Sequence, residues 1–241
     1  MPTDQKPTPI VVLFSGGINS TAAAARYTDG SALHFLHVNH GQPAAAAERE
    51  TARRITDAMA GTLHVADLSF STAGGKSASA TKTGKSSDTD DATDDVSSAK
   101  QIDEAASGLM FSLVGLAQRL AHRVGAETIT CGVSQICDEQ TRSSRTGCGD
   151  PQRGRIFHRA LAIALEMSLT ARHRVAWETP FIDSPRIDIV RAGMRLGAPF
   201  HLSWSCDSTG PKPCERCRGC RSRAEAFESV GQADPRLAVA R

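Results

Sequence analysis

Short apolar runs alternate along this chain with longer stretches in which apolar residues recur every three or four positions. The first run, residues 10–14 (Ile-Val-Val-Leu-Phe), lies between Pro9 and Ser15-Gly16-Gly17. An unbroken apolar run of that length between breakers predicts a strand buried on both faces, as in a parallel sheet. The Ala-rich stretch 21–26 predicts a helix. A second strand follows at 32–39, then a helix over 44–60 that turns Arg53 and Arg54 to solvent, then a third strand at 63–68. Leu109, Leu113, Leu116 and Leu120 mark a helix over 109–124. The remaining pattern predicts a strand at 128–133, a long loop holding Cys137, Gly147 and Pro151, and a helix near 156–170. A strand at 174–179 and a helix over 185–196 with Pro185 in its first turn complete it. Repeated strand-then-helix units predict an α/β fold with a doubly wound parallel sheet.

One stretch breaks this alternation. Between Ser71 and Lys100 the only large apolar residue is Val96, among Ser, Thr, Asp, Lys, Gly and Ala. Such a segment cannot bury enough surface to offset its ordering entropy. The expected organisation is one α/β domain built from residues 1–70 and 105–200, a disordered low-complexity insertion at 71–104, and a small C-terminal region at 201–241.

Composition narrows the function classes. With 241 residues, 40% of them hydrophobic, the chain can fill a real core, although aromatics make up only 5%. A net charge of +2 is too mild for a general nucleic-acid binder, so no direct nucleic-acid contact is expected. No run approaches the roughly 20 apolar residues of a membrane span. The first ten residues lack a signal-peptide pattern, and a cytoplasmic protein is the expectation.

The candidate chemistry sits at two places. The first is Ser15-Gly16-Gly17-Ile18-Asn19-Ser20-Thr21, between the first strand and first helix. Paired glycines let the backbone turn sharply and bring N–H groups close to an anion. The following helix adds its positive end, and three hydroxyls add donors. It is neither a Walker loop nor a GxGxxG dinucleotide loop.

The second place is Cys206, Cys214, Cys217 and Cys220, spaced Cys-x7-Cys-x2-Cys-x2-Cys. Four thiolates at these spacings can wrap one tetrahedral Zn²⁺ with no open position, the arrangement of a structural site. An iron–sulfur cluster also uses four cysteines, but the spacing favours zinc.

Together these motifs resemble the PP-loop ATP pyrophosphatases, whose signature is Ser-Gly-Gly-x-Asp-Ser, and within them the 7-cyano-7-deazaguanine synthase family. The C-terminal match is Ser203-Trp204-Ser205-Cys206, the three following cysteines with Arg221, and Arg223 with Ala226-Phe227. Gly41-Gln42 with Glu48, Glu50 and Ala52-Arg53-Arg54, Val124-Gly125-Ala126 with Gly132-Val133, and Pro180-Phe181 with Arg186–Val190 are similar to further family segments. The likeness spans nearly the whole chain outside the insertion. Asn19 stands where the family has Asp, and Arg186 where it has Lys. The stretch His37–Gly41 instead resembles the sister tRNA lysidine synthetases, which lack the cysteine set. Cys148–Arg153 is the nearest counterpart of the family's base-pocket segment.

The resemblance implies an adenine nucleotide alpha hydrolase-like fold, with ATP, Mg²⁺ and one structural Zn²⁺ per chain. It implies that Ser15, Gly16, Gly17, Ile18, Asn19, Ser20 and Thr21 hold the phosphates, with Asn39, Gln42 and Gly132 nearby. Asn19 and Arg186 are the implied catalytic residues. The implied reaction is ATP-dependent conversion of 7-carboxy-7-deazaguanine to 7-cyano-7-deazaguanine through an adenylate, with ammonia as nitrogen source. Two further readings stay open. One is a paralogue that passes the acyl group to another amine, for example on a protein in phage defence; the other is a non-catalytic nucleotide-binding protein. A homodimer is a further expectation from the family. His34, His64 and His122 are expected at element surfaces, Cys131 in a buried strand, and Arg216–Arg223 on a solvated face.

Overall fold

The computed structural model describes residues 7–68, 108–134, 151–168 and 174–236. The expected insertion at 71–104, together with Cys137 and Cys148, lies outside the described residues. Five strands form one sheet: β1 (Thr8–Leu13), β2 (Ser31–Asn39), β3 (Thr62–Asp67), β4 (Thr128–Cys131) and β5 (Ala176–Glu178). Every pairing is parallel, in the order β3-β2-β1-β4-β5. The helices are α1 (Ile18–Ala25), α2 (Ala45–Ala58), α3 (Leu109–Val124), α4 (Pro151–Ser168), α5 (Arg186–Arg195) and α6 (Arg218–Ser229).

Alternation along β1 divides the core into two layers. Val11 and Leu13 face α3 and α4, packing with Leu36, Ile129, Val114, Leu120, Leu161 and Leu165. Ile10, Val12 and Phe14 face the opposite side with Phe35, Ala24 and Ile55. On that second side α1 carries Ala22, Ala23 and Ala24 at 0% exposure; Ala24 packs on the β1 and β2 residues, and Ala22 and Ala23 pack with α5 and α6. Gly193 of α5 is equally constrained, since a Cβ there would lie 2.2 Å from the Phe200 ring.

Chain order reverses at β1: β2 and β3 lie to one side of it, β4 and β5 to the other. In an open parallel sheet that reversal leaves a crevice beyond the strand C-terminal ends. The loop after β1, the turn after β2 and the start of α5 all emerge at this end.

Several expectations needed adjustment. Helix α4 begins at Pro151, five residues before the predicted start, because proline is well suited to a first helical position. Pro185 caps α5 instead of opening its first turn. Helix α6 was not anticipated; its polar sequence hides Ala226 and Phe227, which pack on Ile18, Ile189 and Phe200.

Candidate phosphate loop and metal centre

Gly16 adopts φ +76°, a left-handed conformation that glycine tolerates best. A Cβ there would also meet the Thr51 methyl group at 2.9 Å and the Glu48 carbonyl at 3.4 Å. Gly17 is the N-cap of α1 and no side chain caps the helix. The first turn therefore carries N–H groups without intrahelical partners and no acidic side chain, a favourable arrangement for an anion. Ser15 Oγ accepts from the Gly17 N–H at 3.3 Å and lies 3.2 Å from Ser20 Oγ.

Not every hydroxyl of the motif faces outward. Thr21 is fully buried, and its hydroxyl donates to the Gly17 carbonyl at 2.8 Å. Ser20 donates to the same carbonyl at 3.2 Å. These bonds brace the turn from within. Ile18 is 2% exposed and anchors the helix in the core beside Ile189 and Phe227, leaving only its main chain for the loop.

Asn19 Oδ1 is buried without a hydrogen-bond partner among the described residues. A buried acceptor left unpaired is costly, so a donor or cation at this place would be stabilised. Gly132 backs the same turn. Its Cβ would fall 2.5 Å from the Asn19 carbonyl and 2.6 Å from the Ser20 nitrogen, so any side chain would push the turn away.

The turn after β2 adds a polar cluster. Asn39 donates to Asp67 at 2.9 Å and accepts from the Gly41 N–H at 3.2 Å. Gln42 accepts from the His40 N–H at 2.9 Å and donates to Glu48 at 2.7 Å. Burial raises the Glu48 carboxyl above its usual range, with the Gln42 bond acting against the shift. Because Glu48 and Thr51 lie against Gly16, this cluster adjoins the glycine loop. Arg186 opens α5 at the same sheet end, where Ser134 Oγ donates to the Ser184 carbonyl at 2.7 Å.

One buried histidine lies beneath the loop. His37 is 1% exposed, with Nδ1 3.1 Å from the carbonyl of Phe14, the residue just before Ser15. Burial lowers its pKa, which favours the neutral ring; the Nδ1–H tautomer then donates to that carbonyl.

The four cysteine sulfurs, Cys206, Cys214, Cys217 and Cys220, lie within 4.8 Å of one another. Backbone N–H groups are aimed at them: Cys214 to the Cys206 sulfur at 3.3 Å, Cys217 to the Cys214 sulfur at 3.3 Å, Cys220 to the Cys217 sulfur at 3.4 Å. Donors of this kind stabilise thiolates, and the backbone bond from Arg216 leads in lowering Cys214 to about 6, whereas burial raises Cys217 and Cys220. The donor set fits a metal ion, and four convergent sulfurs suit zinc. Cys131 stands apart from this set. It is only partly exposed, and burial pushes its thiol up to about 11.

The arginines here divide. Arg216 and Arg221 are exposed as expected, but Arg223 is buried. It pairs with Asp234 at 2.7 Å and donates to Ser203 and to the Phe200 carbonyl. That correction has a clear cause, since a buried guanidinium is tolerated where its donors are paired.

A family model described as Queuosine biosynthesis protein QueC matches residues 9–231. The chain belongs to this family. A 7-cyano-7-deazaguanine synthase from Methanoculleus marisnigri is 32% identical over 230 residues, covering 93% of this chain and 96% of that one. The synthase of the same name from Chlorobaculum tepidum is 32% identical over 236 residues, covering 93% and 94%. A U34-tRNA thiolase, NcsA, from Methanococcus maripaludis, solved with its 4Fe–4S cluster, aligns at TM-score 0.47 and 11% identity over 94% of this chain and 67% of that chain. Membership in the QueC family supports ATP-dependent, synthase-type chemistry of the queuosine pathway. No helix among the described residues is long and apolar enough to cross a membrane.

Proposed function

We propose that this QueC-family chain converts 7-carboxy-7-deazaguanine to 7-cyano-7-deazaguanine, using ATP and ammonia. The observation that carries this reading is the uncapped, glycine-formed turn at the sheet's reversal point, in a chain that matches synthases along 93% of its length. A carboxylate resists ammonia because its charge repels the nucleophile and its oxygen leaves poorly. Attack of that oxygen on the α-phosphorus expels pyrophosphate and leaves AMP attached. Ammonia then displaces AMP to form an amide. A second adenylation, on the amide oxygen, allows loss of AMP and two protons to form the nitrile.

In this reading the main chain of Gly16, Gly17 and Ile18, with the hydroxyl of Ser15, holds the departing pyrophosphate, and Ser20 braces the turn through the Gly17 carbonyl. Thr21 acts from beneath, through the Gly17 carbonyl. Gly132 lets the turn close, and the Asn39–Gln42 turn forms the adjoining wall. Arg186 supplies positive charge toward the phosphates. A bound Mg²⁺ would neutralise polyphosphate charge, and the unpaired Asn19 oxygen is an acceptor suited to it, though weaker than a carboxylate. The cysteine set would hold one structural Zn²⁺.

Asn19 also favours a second reading, in which the same adenylate passes the deazaguanine acyl group to a different amine, including one on a protein. Mass spectrometry of products from ATP, carboxy-deazaguanine and ammonia separates the two. Nitrile and AMP support the synthase. AMP with acyl transfer only to an added amine supports the paralogue. Absence of AMP would leave a nucleotide-binding protein without catalysis.

A further inference from the structure

The segment entering the cysteine cluster passes directly behind the glycine loop. The Trp204 N–H donates to the Gly16 carbonyl at 2.8 Å. The Trp204 carbonyl lies 3.6 Å from where a Cβ on Gly17 would sit. The next residue is pressed from the other side. A Cβ on Gly219, inside the spacer between Cys217 and Cys220, would fall 1.8 Å from the Ser205 carbonyl. Residues 203–206 are therefore held between loop and cysteine cluster, and on the cysteine side only a glycine at 219 permits the approach.

Trp204 joins the two sides. It is 3% exposed, and its indole N–H donates to the Cys206 carbonyl at 2.7 Å. The Arg236 guanidinium lies 4.6 Å over its ring, and Ala44, Cys206 and Cys220 pack around it. A trans peptide is planar, with its C=O and N–H pointing in opposite directions. Fixing the Gly16 carbonyl against Trp204 therefore aims the Gly17 N–H away from Trp204, toward Ser15 Oγ.

We infer that Trp204 is a positioning residue that carries the geometry of the four-cysteine centre to the glycine loop, so that metal loading sets polyphosphate affinity. The affinity half rests on the phosphate-loop reading above; the positional half does not.

The test uses the full chain loaded with zinc, the same chain stripped by chelator, and loaded Gly219→Ala and Trp204→Phe variants. Two quantities are read: hydrogen exchange at the amides of 16–20, and ATP affinity by calorimetry. Stripping and Gly219→Ala should each speed loop exchange and weaken ATP binding by about tenfold, within the usual range for coupled sites. Exchange in β1 and β4 should not change. Trp204→Phe keeps the main-chain donor but loses the indole bond, and should give a smaller shift in the same direction. In a Trp177→Phe background, Trp204 emission should change on stripping.

Loop exchange and ATP affinity that stay at the loaded values would overturn the inference. If loop exchange responds while the loaded chain takes no ATP, the clamp stands and the phosphate reading falls. If stripping also opens β1 and β4, or Gly219→Ala does not fold, the loaded Trp204→Phe chain decides: altered loop exchange supports the clamp, and unaltered exchange overturns it.

Discussion

The glycine loop and the cysteine cluster are contacted from one stretch of chain, Trp204 touching the first and Cys206 belonging to the second, yet they are built in opposite ways. The loop carries its shape in hydrogen bonds, some its own and some from neighbouring chain. Ser20 and Thr21 both donate to the Gly17 carbonyl, Trp204 holds the Gly16 carbonyl, and His37 lies against Phe14 at the base. The cluster gathers four sulfurs within 4.8 Å, and as thiolates they would repel one another without a cation between them. The first site is shaped by hydrogen bonds, whereas the second gathers like charges that a cation would stabilise. Damage to the loop should therefore cost chemistry, and damage to the cluster should cost stability first.

The largest effect should come from filling the loop's back wall. Gly132→Val would drive a side chain into the Asn19 carbonyl, and AMP formation should fall by roughly a hundredfold to a thousandfold while β1 to β3 stay protected from exchange. Undiminished AMP formation would remove this turn from the chemistry. Next, Cys217→Ser should lower stability by on the order of 4 kcal/mol, read by denaturant unfolding, with loss of bound zinc by elemental analysis. A variant as stable as the parent would show that the cluster closes without metal.

A smaller and opposite change sharpens the contrast. Asn19→Asp replaces an unpaired amide oxygen with a charged acceptor, and turnover should rise about fivefold, the difference between neutral and charged acceptors. Unchanged turnover would mean that cation binding at this position does not limit the rate.

The smallest effect is in pH dependence. Burial lowers the pKa of His37 in the folded chain, as it does for His34, His64 and His158. A folded pKa below the unfolded value means the unfolded chain takes up protons first on acidification. Stability should be full above the ordinary histidine value of about 6.5 and should decline as pH falls below it, by a few degrees in the thermal midpoint near pH 5.5. His37→Asn should flatten part of that slope; an unchanged slope would show that His37 contributes nothing to it.

Much of the fold was legible in local pattern. Helix α3 spans 109–124 as its leucine spacing predicts, and each predicted strand in the described residues forms. Strand β4 stops at Cys131, with Gly132 spent on the close approach to α1. Helix α1 starts at Ile18, three residues before the alanine run, because the loop's own residues form its first turn. What stayed hidden depends on distant partners. Arg223 reads as part of a solvated charge run until Asp234, eleven residues on, folds back to it. His37 acquires its role from a backbone carbonyl 23 residues away, and no spacing rule encodes that contact. Trp204 was visible as a family match, but its hold on Gly16 exists only once the C-terminal segment reaches the loop after β1.

Direct calorimetric titration of the zinc-loaded chain with ATP and Mg²⁺, beside a variant carrying bulky residues at Ser15 and Gly16, tests the central claim. The account predicts one nucleotide bound per chain, and none in the variant. Equal binding by both, or binding by neither, would contradict it.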